Sequence, residues 1–395
     1  MEPPVEIDDQ VQQKSAALHV FPFIAARLVI NATYRMIYPF LRAFASGMGI
    51  SLEAALLPLS GRSFVGMLGP LLAPVADRYG RKAGMLLGLG IYTAGVGLVA
   101  AWPVFPSFIA ALVLANLGNQ VFLPAMQAYL GDRIPYRRRG RVMALTELSW
   151  SLSFILLVPL MGWLIARLGW TAPFWALTGL GALSFIWLAW RIPSDRAAEP
   201  GKPPALWQGL KQVLTSPAAL AALSFGLLIT LANEVVNVVF GVWMGDAFGL
   251  DIAALGAAST IIGVAELGGE GATAALVDRI GKKRAVVAGL ALTSLAALAL
   301  PWFGQSLWGG LAGLFFFYLG FEFTLVSYIP VMTEVMPQAR ATLMAANLAA
   351  LSLGRAVGAP AGVWVYTAGF GANALAALAL NGLALMALMR VRVDE

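Results

Sequence analysis

With 395 residues, 59% of them hydrophobic and 12% charged, the chain has about half the charge of an average soluble domain and too little polar surface to cover a soluble globule. It has no cysteine, which excludes disulfides and thiol chemistry. Its net charge of +6 has to be explained by where the basic residues fall.

Apolar runs of roughly 20 residues, the length that crosses a hydrocarbon core as a helix, recur about twelve times. Punctuation by charged residues, Pro and Gly predicts helices near 20–44, 54–76, 83–101, 106–131, 141–166, 171–190, 217–243, 253–277, 285–302, 307–333, 341–367 and 371–390. The expected fold class is all-α integral membrane, with twelve transmembrane helices in two six-helix, pseudo-symmetric bundles. The expected division is a tail over 1–19, a bundle over 20–190, a linker over 191–216, a second bundle over 217–390 and a tail over 391–395. Met1 to Lys14 is polar and acidic, and the first apolar run is too long for the core of a signal peptide, so no cleavable one is expected.

Most of the 26 Lys and Arg fall in the tails and in the turns after even-numbered helices. Only Arg42 and Arg167 sit near the opposite side. The positive-inside rule therefore places both termini in the cytoplasm and the protein in the cytoplasmic membrane. This bias accounts for the net charge without a nucleic-acid partner. The basic loop Gly131 to Arg141 is read as topology control plus contact with anionic lipid.

Helix 1 carries Arg27, Asn31, Tyr34, Arg35 and Tyr38, mostly on one stripe. Arg35 falls near mid-membrane, where a charge needs a partner or a water-filled cavity; a structural ion pair and a functional role are both open. Helix 2 brings Arg62 among Gly61, Ser63, Gly66 and Gly69, with Pro70 and Pro74 expected to bend its end. A polar hinge follows, Asp77-Arg78-Tyr79-Gly80-Arg81-Lys82. Helix 4 holds Asn116, Asn119, Gln120 and Gln127, which serve either as interhelical contacts or as substrate contacts. Glu147 in helix 5 is expected to pair with the loop arginines, and Leu206 to Leu214 in the linker reads as a short amphipathic surface helix.

In the second half the intramembrane charge changes sign. Helix 7 has Asn233, Glu234 and Asn237; helix 8 has Glu266 and Glu270, one turn apart; helix 10 has Glu322 near its middle. Arg355 in helix 11, beside Gly354 and Gly358, is the one mid-membrane base of this half. Arg35 and Arg62 could therefore pair with carboxylates across a central interface.

The hinge returns 201 residues later as Asp278-Arg279-Ile280-Gly281-Lys282-Lys283. The same offset relates Arg139 to Arg340, Met143 to Met344, Ser151 to Ser352, Pro159 to Pro360 and Trp163 to Trp364. One fold unit is used twice. Nothing points to an enzyme: His19 is the only histidine, no metal-ligand cluster or nucleophile set is present, and no phosphate-binding loop implies ATP as the energy source.

Twelve helices as two similar sixes, cytoplasmic termini, a central linker and the Asp-Arg-x-Gly-Arg-Lys hinge after helix 2 resemble the major facilitator superfamily of secondary transporters. The hinge resembles that family's signature loop, although its leading glycine is Ala73 here and Ala274 in the echo. The resemblance implies a cavity lined by helices 1, 4, 7 and 10. By position, Asn31, Tyr34, Arg35, Tyr38, Asn119, Gln120, Gln127, Asn233, Glu234, Asn237 and Glu322 would bind substrate. Asp77, Arg78, Gly80, Arg81 and Lys82, with Asp278, Arg279 and Gly281, would form a cytoplasmic gate. The drug-antiporter pattern of that superfamily is thin: helix 5 offers only Pro159-Leu160-Met161-Gly162, and the fuller Gly-Pro run lies in helix 11.

The expected activity is alternating-access transport of a small organic solute by a monomer, with no cofactor and with the proton as coupling ion. Burial disfavours a charged carboxylate, so Glu234, Glu266, Glu270 and Glu322 are candidate proton sites, with Arg62, Arg35 and Arg355 as competing cations. Export of amphipathic or cationic compounds is preferred, since the acidic second half and the many aromatic and Met side chains suit a polyspecific cavity. The alternative is proton-linked import or exchange of an organic anion or polar solute, and a non-transporting membrane sensor or scaffold is a reading from a different class.

Overall fold

A computed structural model describes residues 7–66, 80–134, 142–143, 145–193, 206–336 and 339–391. Among these there are helices and no strand. Ten helices are long and apolar enough to cross a membrane, and a bent pair, Val20–Arg35 with Ile37–Met48, makes an eleventh span. The second expected span is described only through Leu57–Gly66. Pro70 and Pro74, and Asp77 and Arg78 of the hinge, lie outside the described residues.

The third to sixth spans are Arg81–Ala101, Phe105–Arg133, Leu145–Leu168 and Ala172–Arg191. The seventh to ninth are Pro217–Phe248, Ile252–Ile280 and Lys282–Phe303. The tenth to twelfth are Leu307–Val335, Arg340–Tyr366 and Phe370–Met389. The linker helix, Leu206–Thr215, packs against the eleventh and seventh spans and buries Val213.

Three spans depart from regular α-helix among the described residues: the seventh, between Asn237 and Phe240, and the first and fifth, each at a proline. Pro39 has no N–H, and its ring collides with the carbonyl four residues back, that of Arg35. The first span accordingly breaks at Met36 and bends by 58°. In the fifth span Pro159 is preceded by a π-helical stretch, Ser153–Leu157. Such a bulge re-aims the side chains before it, and they include residues of the central cavity.

The repeat is visible in backbone geometry. Among the described residues the positive-φ positions are all glycines, and they form three pairs about 200 residues apart: Gly49 with Gly249, Gly80 with Gly281 and Gly169 with Gly369. Each pair ends or starts corresponding helices, with φ values agreeing within a few degrees, as for Gly49 at 67° and Gly249 at 66°. Close packing is duplicated too. Gly88 lies against the Gly118 backbone between the third and fourth spans, and Gly289 against Gly320 between the ninth and tenth.

The halves meet where the second span packs on the eleventh and the fifth on the eighth. The tightest approaches lie toward the end opposite the termini, called here the distal end: Gly241 against the Pro39 backbone, and Gly162 and Gly256 around Phe40 and Pro159. The lipid-facing surface carries exposed Trp102, Trp175, Trp302, Trp308 and Trp364 at that end and Trp190 at the other. This is the distribution of aromatic girdles at the two membrane interfaces.

A side chain at Gly289 would place Cβ 2.5 Å from Thr324 Oγ1 and 2.8 Å from its backbone nitrogen, whereas a Cβ at Gly382 meets nothing within 4 Å. Gly289→Val should destabilise by about 1–3 kcal/mol through overpacking and lower the melting temperature in detergent; Gly382→Val should not. Equal melting temperatures for the two variants would contradict this packing.

Candidate functional site

Every charged side chain in the membrane interior must find a partner or water, and most of those here converge between the two halves. They line a cavity of about 810 Å³, a size that holds a drug-sized molecule. It lies at mid-membrane and extends toward the termini-bearing end along the eighth and tenth spans, past Thr273, Ala274, Val326 and Ile329.

The break at Met36 places Arg35 beside the fifth and eighth spans. Its guanidinium makes a two-pronged pair with Glu266, Nη1 to Oε1 at 2.8 Å and Nη2 to Oε2 at 2.7 Å. Arg35 and Glu266 are only 5% and 3% exposed. The guanidinium also stacks over Trp150, 3.7 Å from the ring centroid, and over Phe154 at 4.4 Å. A buried ion pair is maintained by such close geometry, because each ion loses several kcal/mol of hydration.

Glu270, one turn from Glu266, accepts a hydrogen bond from Ser151 at 3.1 Å. Glu322 is 6% exposed and makes no hydrogen bond or ion pair among the described residues. Both lie within electrostatic reach of Glu266 and Arg35. Three carboxylates thus surround the Arg35 guanidinium, and Arg355 also acts electrostatically on Glu322.

A second polar network occupies the other side. Arg62 donates from Nη2 to the Tyr38 hydroxyl at 2.7 Å, and Tyr38 donates to Glu234 at 3.0 Å. Asn237 donates to Glu234 at 3.5 Å and accepts from Tyr318 at 2.7 Å. Asn116 donates to the Arg62 carbonyl and accepts from the Tyr34 hydroxyl. This chain joins the first, second and fourth spans to the seventh and tenth, and it crosses between the halves at the Tyr38–Glu234 bond. Arg355 lines the same cavity and makes no hydrogen bond or ion pair among the described residues.

Of the residues expected at the site, Tyr34, Arg35, Tyr38, Arg62, Asn119, Gln120, Asn233, Glu234, Asn237, Glu266, Glu270, Glu322 and Arg355 line the cavity. Asn31 and Gln127 do not. Asn31 is buried between the first and fifth spans, donating to Ser149 at 3.3 Å. Gln127 lies two turns beyond Asn119, past Pro124, on an exposed face. Glu147 pairs with Arg27 at 2.7 and 2.9 Å, within its own half; its expected partners Arg137, Arg138, Arg139 and Arg141 lie outside the described residues. Cavity residues the charge pattern did not single out include Trp150 and Tyr318. Pro159 and Pro39 were the available signals, since a helix broken there turns neighbouring side chains inward.

At the distal end Arg42 and Asp246 form another two-pronged pair between the halves, 2.5 and 2.9 Å, to which Tyr366 donates at 3.2 Å. Ser60 donates to the Ala356 carbonyl nearby. The termini-bearing end has no comparable packing of the fourth span on the tenth among the described residues. Between described residues, Arg81 pairs with Asp132 at 3.4 Å and Lys82 donates to the Ala189 carbonyl at 2.7 Å, both within the first half. In the echo, Lys282 pairs with Glu334 at 3.6 Å and Lys283 donates to the Val391 carbonyl at 2.8 Å. Asp278 and Arg279 are exposed.

Removing one member of a buried pair leaves an uncompensated charge, a loss of about 3–5 kcal/mol, whereas replacing both by apolar residues of similar volume removes that penalty. Glu266→Ala should therefore lower the melting temperature more than the double substitution Arg35→Met with Glu266→Met. A double variant as unstable as the sum of its single substitutions would show that the two side chains are not coupled.

A family model described as Major Facilitator Superfamily matches residues 23–234 and again residues 223–395. The chain is 27% identical over 364 residues to the uncharacterized MFS-type transporter YwfA of Bacillus subtilis, covering 87% of this chain and 86% of that one. It is 27% identical over 261 residues to a chloramphenicol resistance protein of Streptomyces lividans, covering 65% and 66%. Among solved structures, a POT family transporter in complex with a thioalcohol conjugated peptide superposes with a TM-score of 0.76 at 14% identity over 94% of both chains, a likeness of fold.

Proposed function

The chain belongs to the major facilitator superfamily, and we propose that it is a proton-coupled, alternating-access transporter exporting a small amphipathic organic solute across the cytoplasmic membrane. The observation that carries this reading is Arg35, which comes from one half and is held by Glu266 of the other, with Glu270 and Glu322 beside them. A proton arriving on Glu266 competes with Arg35 for the same oxygens, and one arriving on Glu270 or Glu322 removes a negative charge beside the pair. Because the pair spans the two halves, protonation changes how strongly they hold together at mid-membrane. A two-state equilibrium responds to such a differential contact.

The positive-inside bias assigns the termini to the cytoplasm, which makes the packed distal end the outer one. The state described is then closed to the outside by Arg42, Asp246 and the glycine contacts around Pro39 and Pro159. The chloramphenicol resistance protein among the relatives supports export, as do the aromatic rings of Trp150, Tyr318 and Phe321 on the cavity wall. Import of an organic anion is the second reading, favoured by Arg355, a cavity base without a hydrogen bond or ion pair among the described residues.

In proteoliposomes with an imposed pH gradient, Glu270→Gln and Glu322→Gln should abolish gradient-driven accumulation of ethidium or chloramphenicol. Gradient-independent exchange of chloramphenicol, which carries no charge for these carboxylates to bind, should persist. Undiminished gradient-driven flux in both variants would remove these carboxylates from coupling. If organic anions move and the amphipathic compounds do not, the import reading replaces this one.

A further inference from the structure

The cavity has two poles of opposite sign, and both are incompletely satisfied. On one side stand Arg62 and Arg355, which both act electrostatically on Glu234, Tyr34 and Tyr38. Arg62 is buried, and its hydrogen-bond partners are the Tyr38 hydroxyl and the Tyr34 carbonyl rather than a carboxylate. Arg355 has no hydrogen bond or ion pair among the described residues. Glu234 is thus the nearest carboxylate to two guanidinium groups, neither of which makes an ion pair with it; Arg355 also acts electrostatically on Glu322, across the cavity. The Nδ2 donor of Asn233, next to Glu234 in sequence and on the cavity wall, is buried without a partner.

On the other side the balance reverses. Arg35 is committed to Glu266 through both terminal nitrogens, so Glu270 and Glu322 are left with no cation bonded to them. Glu322 has no hydrogen-bond partner at all among the described residues although it is 6% exposed. A buried carboxylate without a partner binds either a proton or a cation.

We infer that the cavity takes a dipolar solute, with an anionic group seated between Arg355 and Arg62 and a cationic group seated at Glu322 and Glu270. The inference rests on reading this cavity as the substrate chamber of a transporter. The positive pole presents guanidinium forks and the Asn233 amide, the donors that a carboxylate or similar oxyanion uses. The negative pole is the same carboxylate group assigned above to the proton. The cationic end of the solute and the proton then exclude one another there, which makes the exchange obligatory: the proton leaves as the cationic end seats. A solute with one charge satisfies one pole and leaves the other buried and unpaired.

Nα-dansyl-L-lysine, which carries a carboxylate near one end and an ammonium several bonds away, tests this in detergent-purified protein without any gradient. Its methyl ester lacks the anion, and its Nε-acetyl derivative lacks the cation. Fluorescence titration should show the dipolar compound binding on the order of tenfold or more tighter than either derivative, as a charge-assisted hydrogen bond is worth. Arg355→Gln should bring the dipolar compound down to the affinity of the ester, and Glu322→Gln should bring it down to that of the acetyl derivative. Arg355→Lys should restore part of the loss.

Equal affinity of the dipolar compound and either derivative overturns the proposal, as does failure of all three to bind. A uniform loss across the three compounds in each variant also overturns it, because that is the signature of a structural role. If the dipolar compound binds as described but is not moved by a pH gradient in proteoliposomes, the coupled-transport reading fails while this one stands. If ethidium is moved but the dipolar compound does not bind, the reverse holds.

Discussion

A guanidinium at mid-membrane cannot borrow water, and Arg35 is held there only because Glu266 presents both carboxylate oxygens to it from the other half of the molecule. Everything nearby follows from that requirement. Pro39 breaks the first span at the point where Arg35 must turn toward the eighth. The π-helical turn before Pro159 brings Phe154, and with it Trp150, under the guanidinium face. The pair joins the two six-helix bundles, so a contact needed to stabilise a buried charge is also one of those that set the relation between them.

The two bundles share a backbone plan and differ in charge. Paired left-handed glycines and paired glycine crossings show one unit built twice, and even the Lys82 and Lys283 contacts with helix-end carbonyls correspond. The polar residues of the cavity break that symmetry, with Arg35 and Arg62 in the first half and Glu234, Glu266, Glu270, Glu322 and Arg355 in the second. Duplication supplies two similar rigid bodies. Divergence of their facing charges supplies an interface that can be weakened or strengthened by a proton or by a charged solute.

Cross-half contacts are layered along the membrane normal. At the distal end Arg42 and Asp246 are about half exposed, 53% and 45%, so their attraction is screened and each contributes little; the glycine contacts around Pro39 and Pro159 carry the packing there. At mid-membrane the buried polar contacts lie beside a close approach of Gly263 to Ser151, Phe154 and Ile155 of the fifth span.

Helix count, the doubled hinge and the sign change of buried charge were all legible in the sequence, because each is a local property. Hydrophobic run length is set by membrane thickness, a left-handed helix end demands Gly80 and Gly281 wherever they fall, and a charge in an apolar run is conspicuous by itself. Most of the cavity residues could be named for the same reason: polar side chains in spans are costly and therefore face inward. Which partner each charge takes was decided by tertiary structure alone. Glu147 binds Arg27, Asn31 reaches Ser149 rather than the cavity, and Arg35 selects Glu266 from three nearby carboxylates. Those choices depend on the rotation and depth of helices more than 100 residues apart, which are set by glycine contacts and proline breaks in the packed molecule. Helical periodicity within any one span carries no information about them.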